Sequence, residues 1–301
     1  PVFEPSLPGL PGMDLQVEPQ SPYVTSGNSD ELRCFVLDPK ITADTFINGM
    51  GVVAGNPKVV HHVLVYVDQN AEGDALADKD GGYPCFGGPG ISQSTLAAAW
   101  APGAEPVDLP ENVGMRVKAG TKFIMQVHYH PAGQTADPDS TKFQIRFGDG
   151  APEYNYAVAL VGNFSSAGAG LLSGPNDDGK VEFRIPAGVK GHTETMELVS
   201  PQDLPDLYIY GVGTHMHYVG TDMKVEIEHA DTSDGQPAKE CLVQTPAWDF
   251  NWQRLYRYDV DIESLPRARA GDKSTYRCTY DNTMQNPFVA QALKDEQLSE
   301  P

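Results

Sequence analysis

The apolar residues of this chain occur in short runs, and this pattern constrains its fold more than any other feature. The run VVHHVLVYV at residues 59–67 is typical, and turn residues separate such runs, with 30 Gly and 25 Pro in 301 residues. No segment keeps a helical apolar period over a long stretch. Short runs punctuated by turns are typical of β-sandwich and barrel proteins. The sequence therefore predicts an all-β protein.

The length of the chain and one turn-rich segment indicate two domains. A chain of 301 residues is long enough for one large or two medium domains. Strand-like runs form two series, and the segment GDGAPEYN separates them. We therefore predict domains at residues 1–150 and 151–301. Short helices are expected at residues 94–100 and after Asn286-Pro287, where Asn can cap a helix and Pro fits its first turn.

The charge of the chain excludes two classes of partner. Its formal net charge is -20, and no basic stripe interrupts this acidity. Nucleic acid and anionic membrane surfaces repel such a protein. No apolar run approaches the roughly 20 residues that span a bilayer. We therefore expect no nucleic-acid partner and no membrane span. Because the chain opens at Pro1 without an initiator Met or signal peptide, it is expected to be processed or excised.

The four cysteines indicate an exported protein. Cys34 and Cys85 lie in the first half, and Cys241 and Cys278 lie in the second. One disulfide in each half would give Cys34–Cys85 and Cys241–Cys278, and such bonds persist in secreted, periplasmic or cell-surface proteins. Four buried free thiols are the alternative. No C-x-x-C spacing occurs, which argues against a thiolate zinc site or a thioredoxin-type redox site.

Five histidines lie in three strand-like segments and are candidate metal ligands. They are His61 and His62 in VVHHVLVYV, His128 in MQVHYHPAG, and His215 and His217 in GVGTHMHYVG. Neutral imidazole is the commonest protein ligand for copper and zinc. Residues two apart on a strand share a face, so His215 and His217 would point at one metal. Two surface histidines without metal are the alternative for that pair.

The adjacent pair His61-His62 needs an irregular backbone to hold one metal. Neighbours on a regular strand point to opposite faces, so both can reach one ion only across a bulge, a twist or a strand end. The alternative is one core imidazole and one exposed imidazole. Burying both in an aliphatic run is costly unless their nitrogens find partners. His128 and His130 share a strand face, and either would complete a site of three imidazoles.

Other polar residues are expected to have lesser roles. His192 in KGHTE and His229 in EHADT have polar, turn-like neighbours and are predicted at the surface without a role. Gln126 is expected to point the same way as His128 and to support it. Asp281 and Asn282 are interpreted as turn residues.

Four segments, in this order, resemble the copper type II, ascorbate-dependent monooxygenases, the family of peptidylglycine hydroxylating and dopamine beta monooxygenases. HHVLVYV resembles the family's His-His strand, and MQVHYH resembles its Gln/Glu-Val-His-Tyr strand. WAPGAEPVDLPENVGMRV is similar to its Trp-Ala through Leu-Pro to Gly-Val-Gly stretch. THMHYVG is similar to its His-x-His strand. Four motifs in matching order make the resemblance specific.

The resemblance implies two copper ions and an oxidation reaction. The ligands would be His61, His62 and His128 for the first copper, with His130 outside them, and the catalytic pair His215 and His217 for the second. Ascorbate would reduce both ions, and dioxygen would react at the second to hydroxylate a substrate C–H bond. The implied fold is two jelly-roll β-sandwich domains that face each other across a cleft.

The chain departs from the family pattern at two points. The family's Met ligand follows the cysteine matched by Cys278 in a Glu-Met-Cys context, and no such motif occurs before Pro301. The Met ligand is therefore expected beyond Pro301, with Met284 as the alternative. Gly213 stands where the peptide-hydroxylating branch has Arg, which removes a partner for a peptide carboxylate. Together with the acidic surface, this favours an amine or neutral aromatic substrate over a peptide.

Two other functions compete with a monooxygenase. A non-catalytic copper-binding or copper-trafficking protein would keep the first three ligands and tolerate a missing Met. A zinc hydrolase would use three histidines with an open water position. The zinc hydrolase is disfavoured because it needs no second histidine cluster, and because no H-E-x-x-H motif is present.

Overall fold

Strands dominate the secondary structure of this chain, which confirms the all-β class. The computed structural model describes residues 9–26, 29–130, 137–162, 170–250, 253–295 and 297–299. Across these ranges there is one α-helix, and it is too short to cross a membrane. The chain divides into two compact units, Pro1–Leu160 and Val161–Pro301.

The first unit contains eleven strands among its described residues. They are β1 Leu15–Val17, β2 Glu31–Leu37, β3 Thr45–Val53, β4 Val60–Asp68, β5 Gly82–Pro84, β6 Thr95–Trp100, β7 Val107–Asp108, β8 Val113–Val117, β9 Lys122–Tyr129, β10 Lys142–Phe147 and β11 Tyr154–Asn155. The segment at residues 94–100, predicted to be helical, is the strand β6. Its run of three alanines favours a helix by propensity, but pairing with β4 at the sheet edge overrides that preference.

These strands form two sheets that pack as a β-sandwich. One sheet has the order β1-β10-β3-β8-β11, with β7 on β3, and the other has the order β5-β2-β9-β4-β6. Phe123 of β9 and Phe143 of β10 are fully buried, with ring centroids 5.1 Å apart, so they join the two sheets through the core. β4 and β9 lie inside the second sheet and are mostly buried, which explains their nearly continuous apolar sequences.

The predicted disulfide between Cys34 and Cys85 is confirmed. Their Cα atoms are 5.8 Å apart, within the usual range for a disulfide. Cys34 lies on β2 and Cys85 directly follows β5, its antiparallel partner. The bond therefore reinforces the edge of the sheet that carries β4 and β9.

The second unit contains eight strands and one helix among its described residues. They are β12 Lys190–Val199, β13 Leu207–Tyr208, β14 Gly211–Gly213, β15 Gly220–Glu228, β16 Lys239–Thr245, β17 Leu255–Arg257, β18 Arg267–Ala268, β19 Lys273–Asp281 and α1 Pro287–Asp295. The main sheet has the order β12-β19-β15-β16, and two small ribbons pair β13 with β18 and β14 with β17. The helix after Asn286 was expected from its cap, and the Asn286 side chain accepts the Phe288 amide at 3.0 Å.

The predicted disulfide between Cys241 and Cys278 is wrong, because both cysteines are free. Cys241 on β16 is opposite Glu226, and Cys278 on β19 is opposite Met223, so β15 lies between the two cysteines. Strands two positions apart are separated by about 9–10 Å. A disulfide requires Cα atoms within about 7 Å. The strand order, which a count of cysteines cannot supply, therefore forbids this bond.

The prediction that His192 and His229 are solvated surface residues is also wrong. His192 lies on β12 and is buried, with its Nε2 2.7 Å from Oε1 of the buried Glu194. The His229 side chain follows β15 and is fully buried between Asp272 and Glu240. Both imidazoles have carboxylate partners, and these partners make their burial possible.

Candidate metal centre

Two central strands of the first unit bring three of the predicted ligands together. His61 and His62 are at the start of β4, and His128 is near the end of β9. The two strands are antiparallel neighbours, and His62 is directly opposite His128. This register places one imidazole of each strand at the same end of the sheet.

A β-bulge turns the adjacent histidines toward one point. The pairing of β4 with β9 shifts register between Val60 and His62, so His61 is the extra residue. A bulge leaves its extra residue unpaired and redirects the side chain. His61 and His62 therefore point to the same side of the sheet. A bulge is one of the backbone irregularities through which two adjacent strand residues can reach one ion.

The three imidazoles converge through their Nδ1 atoms. Nδ1 of His62 is 3.1 Å from Nδ1 of His61 and 3.3 Å from Nδ1 of His128. One donor nitrogen from each ring lies within 4.8 Å of the others, and the three residues are half-buried. Among the described residues, no other three His, Cys, Asp or Glu side chains meet this spacing. Three neutral imidazoles are a donor set that suits copper or zinc, so the residues fit the ion that their sequence pattern suggested.

A carboxylate lies next to this cluster, and the sequence did not indicate it. Asp30 Oδ1 is 3.1 Å from Nε2 of His128 and 3.0 Å from Nδ1 of His130. Asp30 immediately precedes β2, whose Leu32 is opposite His128. Only the pairing of β2 with β9 brings Asp30 to this position, so no local pattern could have identified it. Gln126 instead donates to the carbonyl of Cys85 at 2.9 Å, so it does not support the histidines.

His215 and His217 lie together in the second unit, although their segment is not a strand. β14 ends at Gly213, and the chain turns after His217, whose carbonyl accepts the Gly220 amide at 2.9 Å. Side chains still alternate here, since both histidines are exposed while Met216 is buried. The two imidazole centroids are 5.3 Å apart. The pair therefore offers two nearby donors at the surface of this unit.

A glutamine orients one of these rings. Oε1 of Gln253 is 2.7 Å from Nδ1 of His215, and Nε2 of Gln253 donates to the carbonyl of Phe250 at 2.9 Å. The second bond fixes the amide, so Oε1 must accept a proton from Nδ1. His215 therefore presents Nε2 as its acceptor nitrogen. The sequence did not identify Gln253, because its contact spans 38 residues.

In the part of the chain that the structure describes, no His, Cys, Asp or Glu side chain completes a group of three with this pair. Met216 is buried in a core cluster with Trp248 and Tyr280, whereas His215 and His217 are exposed. Gly220 leaves room for it, since a Cβ there would be 2.7 Å from that of Met216. Met284 is 50% exposed in the segment between β19 and α1. The assignment of the Met ligand to Met284 or to a residue beyond Pro301 stays a prediction.

Comparisons with known proteins match the segment of the chain that contains the first cluster. Residues 22–136 match the family model described as copper type II ascorbate-dependent monooxygenase, N-terminal domain. This range contains His61, His62, His128 and the disulfide, whereas His215 and His217 lie outside it.

Two similar curated proteins are amidating enzymes by name. Peptidyl-glycine alpha-amidating monooxygenase A of Xenopus laevis is 29% identical over 138 residues, which are 44% of this chain and 14% of the relative. Peptidylglycine alpha-amidating monooxygenase of Rattus norvegicus is 30% identical over 124 residues, which are 40% of this chain and 12% of the relative. The matched segment thus spans a small part of these relatives. Their names give no support to the expected preference for an amine or neutral aromatic substrate.

Proposed function

The chain belongs to the copper type II ascorbate-dependent monooxygenase family through residues 22–136, and on this premise we propose that it hydroxylates a substrate C–H bond with dioxygen and ascorbate. The observation that carries the proposal is the convergence of three imidazole Nδ1 atoms across the β4–β9 ladder. Bound copper would supply the one-electron chemistry that such a reaction requires.

In this proposal the first cluster is an electron-transfer centre. His61, His62 and His128 would hold one copper with three neutral nitrogen donors, a set that is stable with both oxidation states of copper. Their half-buried position leaves them accessible to a reductant in solution. The β-bulge and the paired strands hold the rings in place, so little reorganisation would accompany a change of charge.

The second pair would carry the oxygen chemistry. His215 and His217 would hold the second copper, and we assign the catalytic role to them. Gln253 keeps the His215 ring oriented, and Tyr218 packs between Phe250 and Phe288, at centroid distances of 4.0 and 5.0 Å. These contacts position the segment that carries both histidines. Two imidazoles alone would hold copper weakly, so a further donor is part of the proposal.

Copper stoichiometry and coupled turnover test the proposal together. We expect two coppers per chain, and ascorbate-driven oxygen uptake that matches hydroxylated product in a screen of glycine-ended peptides and arylalkylamines. His217→Ala should abolish product and keep one copper, whereas the control Cys241→Ser, at an exposed thiol, should change neither. Two coppers without product from any substrate in the screen would count against a monooxygenase.

A non-catalytic copper-binding protein is the second candidate. It is favoured by one observation, namely that His61, His62 and His128 are the group of His, Cys, Asp and Glu side chains in the described part of the chain whose spacing could hold a metal ion. This function predicts one tightly bound copper and no oxygen uptake coupled to product. The same experiment therefore separates the two candidates. In either case the disulfide in the first unit supports our inference that the protein is exported.

A further inference from the structure

We infer that Asp30 is a positioning residue for the first histidine cluster, where it sets the tautomer and orientation of His128. The inference rests on the proposed function in one respect, because it takes copper to be the ion that His128 binds. Its structural part, the choice of ring nitrogen that carries the proton, concerns the metal-free protein and is independent of that proposal.

The contacts of Asp30 define which nitrogen of His128 is protonated. Oδ1 of Asp30 is 3.1 Å from Nε2 of His128. An ionised carboxylate only accepts hydrogen bonds, so Nε2 must donate. A neutral imidazole that carries its proton on Nε2 has its lone pair on Nδ1. This is the nitrogen that lies 3.3 Å from Nδ1 of His62, so Asp30 directs the acceptor nitrogen of His128 into the cluster.

The fold holds Asp30 in this position and assigns the neighbouring acid to other partners. Leu32 is opposite His128 in the pairing of β2 with β9, which brings the residues before β2 beside the end of β9. Glu31 instead accepts the Tyr23 hydroxyl and the Ser26 amide, each at 2.7 Å. Asp30 is therefore the acid of this segment that reaches His128.

The same carboxylate oxygen also binds a second ring. Nδ1 of His130 is 3.0 Å from Oδ1 of Asp30 and must likewise donate. The ring of His130 lies 6.0 Å from that of His61, outside the converging nitrogens. Asp30 thus holds His130 at the edge of the site. His128, on β9, remains the ring that faces the cluster.

Hydrogen bonds from a metal-bound histidine to a carboxylate fix the ring and increase its basicity, and their loss typically weakens metal binding about 10–100-fold. Asp30→Ala removes both the charge and the acceptor. Asp30→Asn keeps an acceptor oxygen and removes only the charge. We therefore expect a larger loss of copper affinity in Asp30→Ala than in Asp30→Asn.

Two measurements on the full chain test this inference. Nitrogen-15 NMR of the metal-free protein reads the tautomer of His128 directly. Titration against a chromophoric chelator then gives the affinity of each copper. The control is Asp44→Asn, which removes an acid of the same unit that is also about half exposed and pairs with Arg116. Thermal unfolding of each metal-free variant shows whether it is folded.

We expect the wild type and Asp44→Asn to hold His128 in the Nε2-protonated form and to bind copper equally. Asp30→Ala should mix the tautomers and weaken one copper about 10–100-fold. If Asp30→Ala proves less stable, Asp30→Asn answers the question, because it keeps the size of the side chain. If the wild type binds copper and neither Asp30 variant changes the His128 tautomer or the copper affinity, the inference is overturned and the proposed function stands. A wild type that binds no copper would overturn the proposed function. The measured tautomer of His128 would then still show whether Asp30 determines which ring nitrogen carries the proton.

Discussion

His62 faces His128 directly across the ladder between β4 and β9, and the bulge before it brings His61 to the same side. Nδ1 of His62 lies 3.1 Å from Nδ1 of His61 and 3.3 Å from Nδ1 of His128. Nδ1 of His62 is therefore a close neighbour of the Nδ1 atoms of both other ligands. Its removal would take one of three donor nitrogens from the cluster, while the rings of His61 and His128 would stay about as far apart as before, at 5.1 Å.

The closeness of the His62 Nδ1 to both other donor nitrogens predicts the effect of His62→Ala. The variant should lose one of two coppers, with an affinity loss larger than the roughly 10–100-fold that an outer partner costs. His130→Ala is the matched control, since it removes an imidazole outside the converging nitrogens. Metal analysis after dialysis against a weak chelator measures both variants. Equal retention of copper by the two variants would contradict the assignment of His62.

The sequence predicted much of this site, and the part that it missed has a physical cause. The apolar runs around His61 and His128 indicated strands. Because side chains alternate along a strand, His61 and His62 needed a backbone irregularity to bind one ion. The position of the bulge and the contact with Asp30 depend on the partner strands β9 and β2, which local patterns do not specify. The contact between Gln253 and His215 could not be predicted for the same reason.

The disulfide between Cys34 and Cys85 should stabilise the first unit substantially. It joins residues 51 apart in sequence, and the loop-entropy model gives about 4 kcal/mol for a loop of this length. We expect Cys34→Ala/Cys85→Ala to lower the free energy of unfolding of this unit by about that amount. Denaturant unfolding followed by probes in each unit measures the change, with Cys241→Ser as the control. An equal loss in Cys241→Ser would assign the effect to cysteine content instead of the bond.

The two free cysteines should differ in reactivity. Cys241 is exposed, whereas burial raises the pKa of the half-buried Cys278 thiol, and less thiolate is then present at neutral pH. A thiol reagent should therefore label Cys241 quickly and Cys278 slowly in the native protein. Peptide mass mapping over time gives both rates. Absence of label at both sites, even in unfolded unreduced protein, would restore the disulfide that the strand order excludes.

The second unit shows where sequence patterns fail. The HMH segment alternates like a strand, and the structure keeps that alternation, but the turn toward Gly220 ends any strand pairing. The polar neighbours of His192 and His229 suggested exposure. Burial of these rings depends on Glu194, Asp272 and Glu240, and two of these acids are 43 and 11 residues from His229. Such partners become visible only in the folded chain.

The buried contacts of His229 are those of a charged imidazole. Nδ1 is 2.9 Å from Oδ2 of Asp272, and Nε2 is 2.9 Å from Oε1 of Glu240. Asp272 also accepts the Ala230 and Arg269 amides, each at 2.9 Å, which fixes its carboxylate. Both ring nitrogens can donate to an acid only when the ring is protonated.

This arrangement predicts that the second unit loses stability as the pH rises. Burial acts to lower the pKa of His229, but the hydrogen bonds and charges of Glu240 and Asp272 outweigh it, and the net pKa is raised. A group with a raised folded pKa contributes its full stabilisation below its unfolded pKa, about 6.5 for His, and loses it as the pH rises through the folded pKa. Thermal unfolding measured at increasing pH, starting below the unfolded pKa of about 6.5, should therefore show a falling midpoint for the second unit. His229→Gln should be less stable below that pKa and should show a weaker dependence on pH, whereas His130→Ala, in the other unit, should keep the wild-type slope. A wild-type midpoint that stays constant or rises as the pH increases would contradict a charged His229.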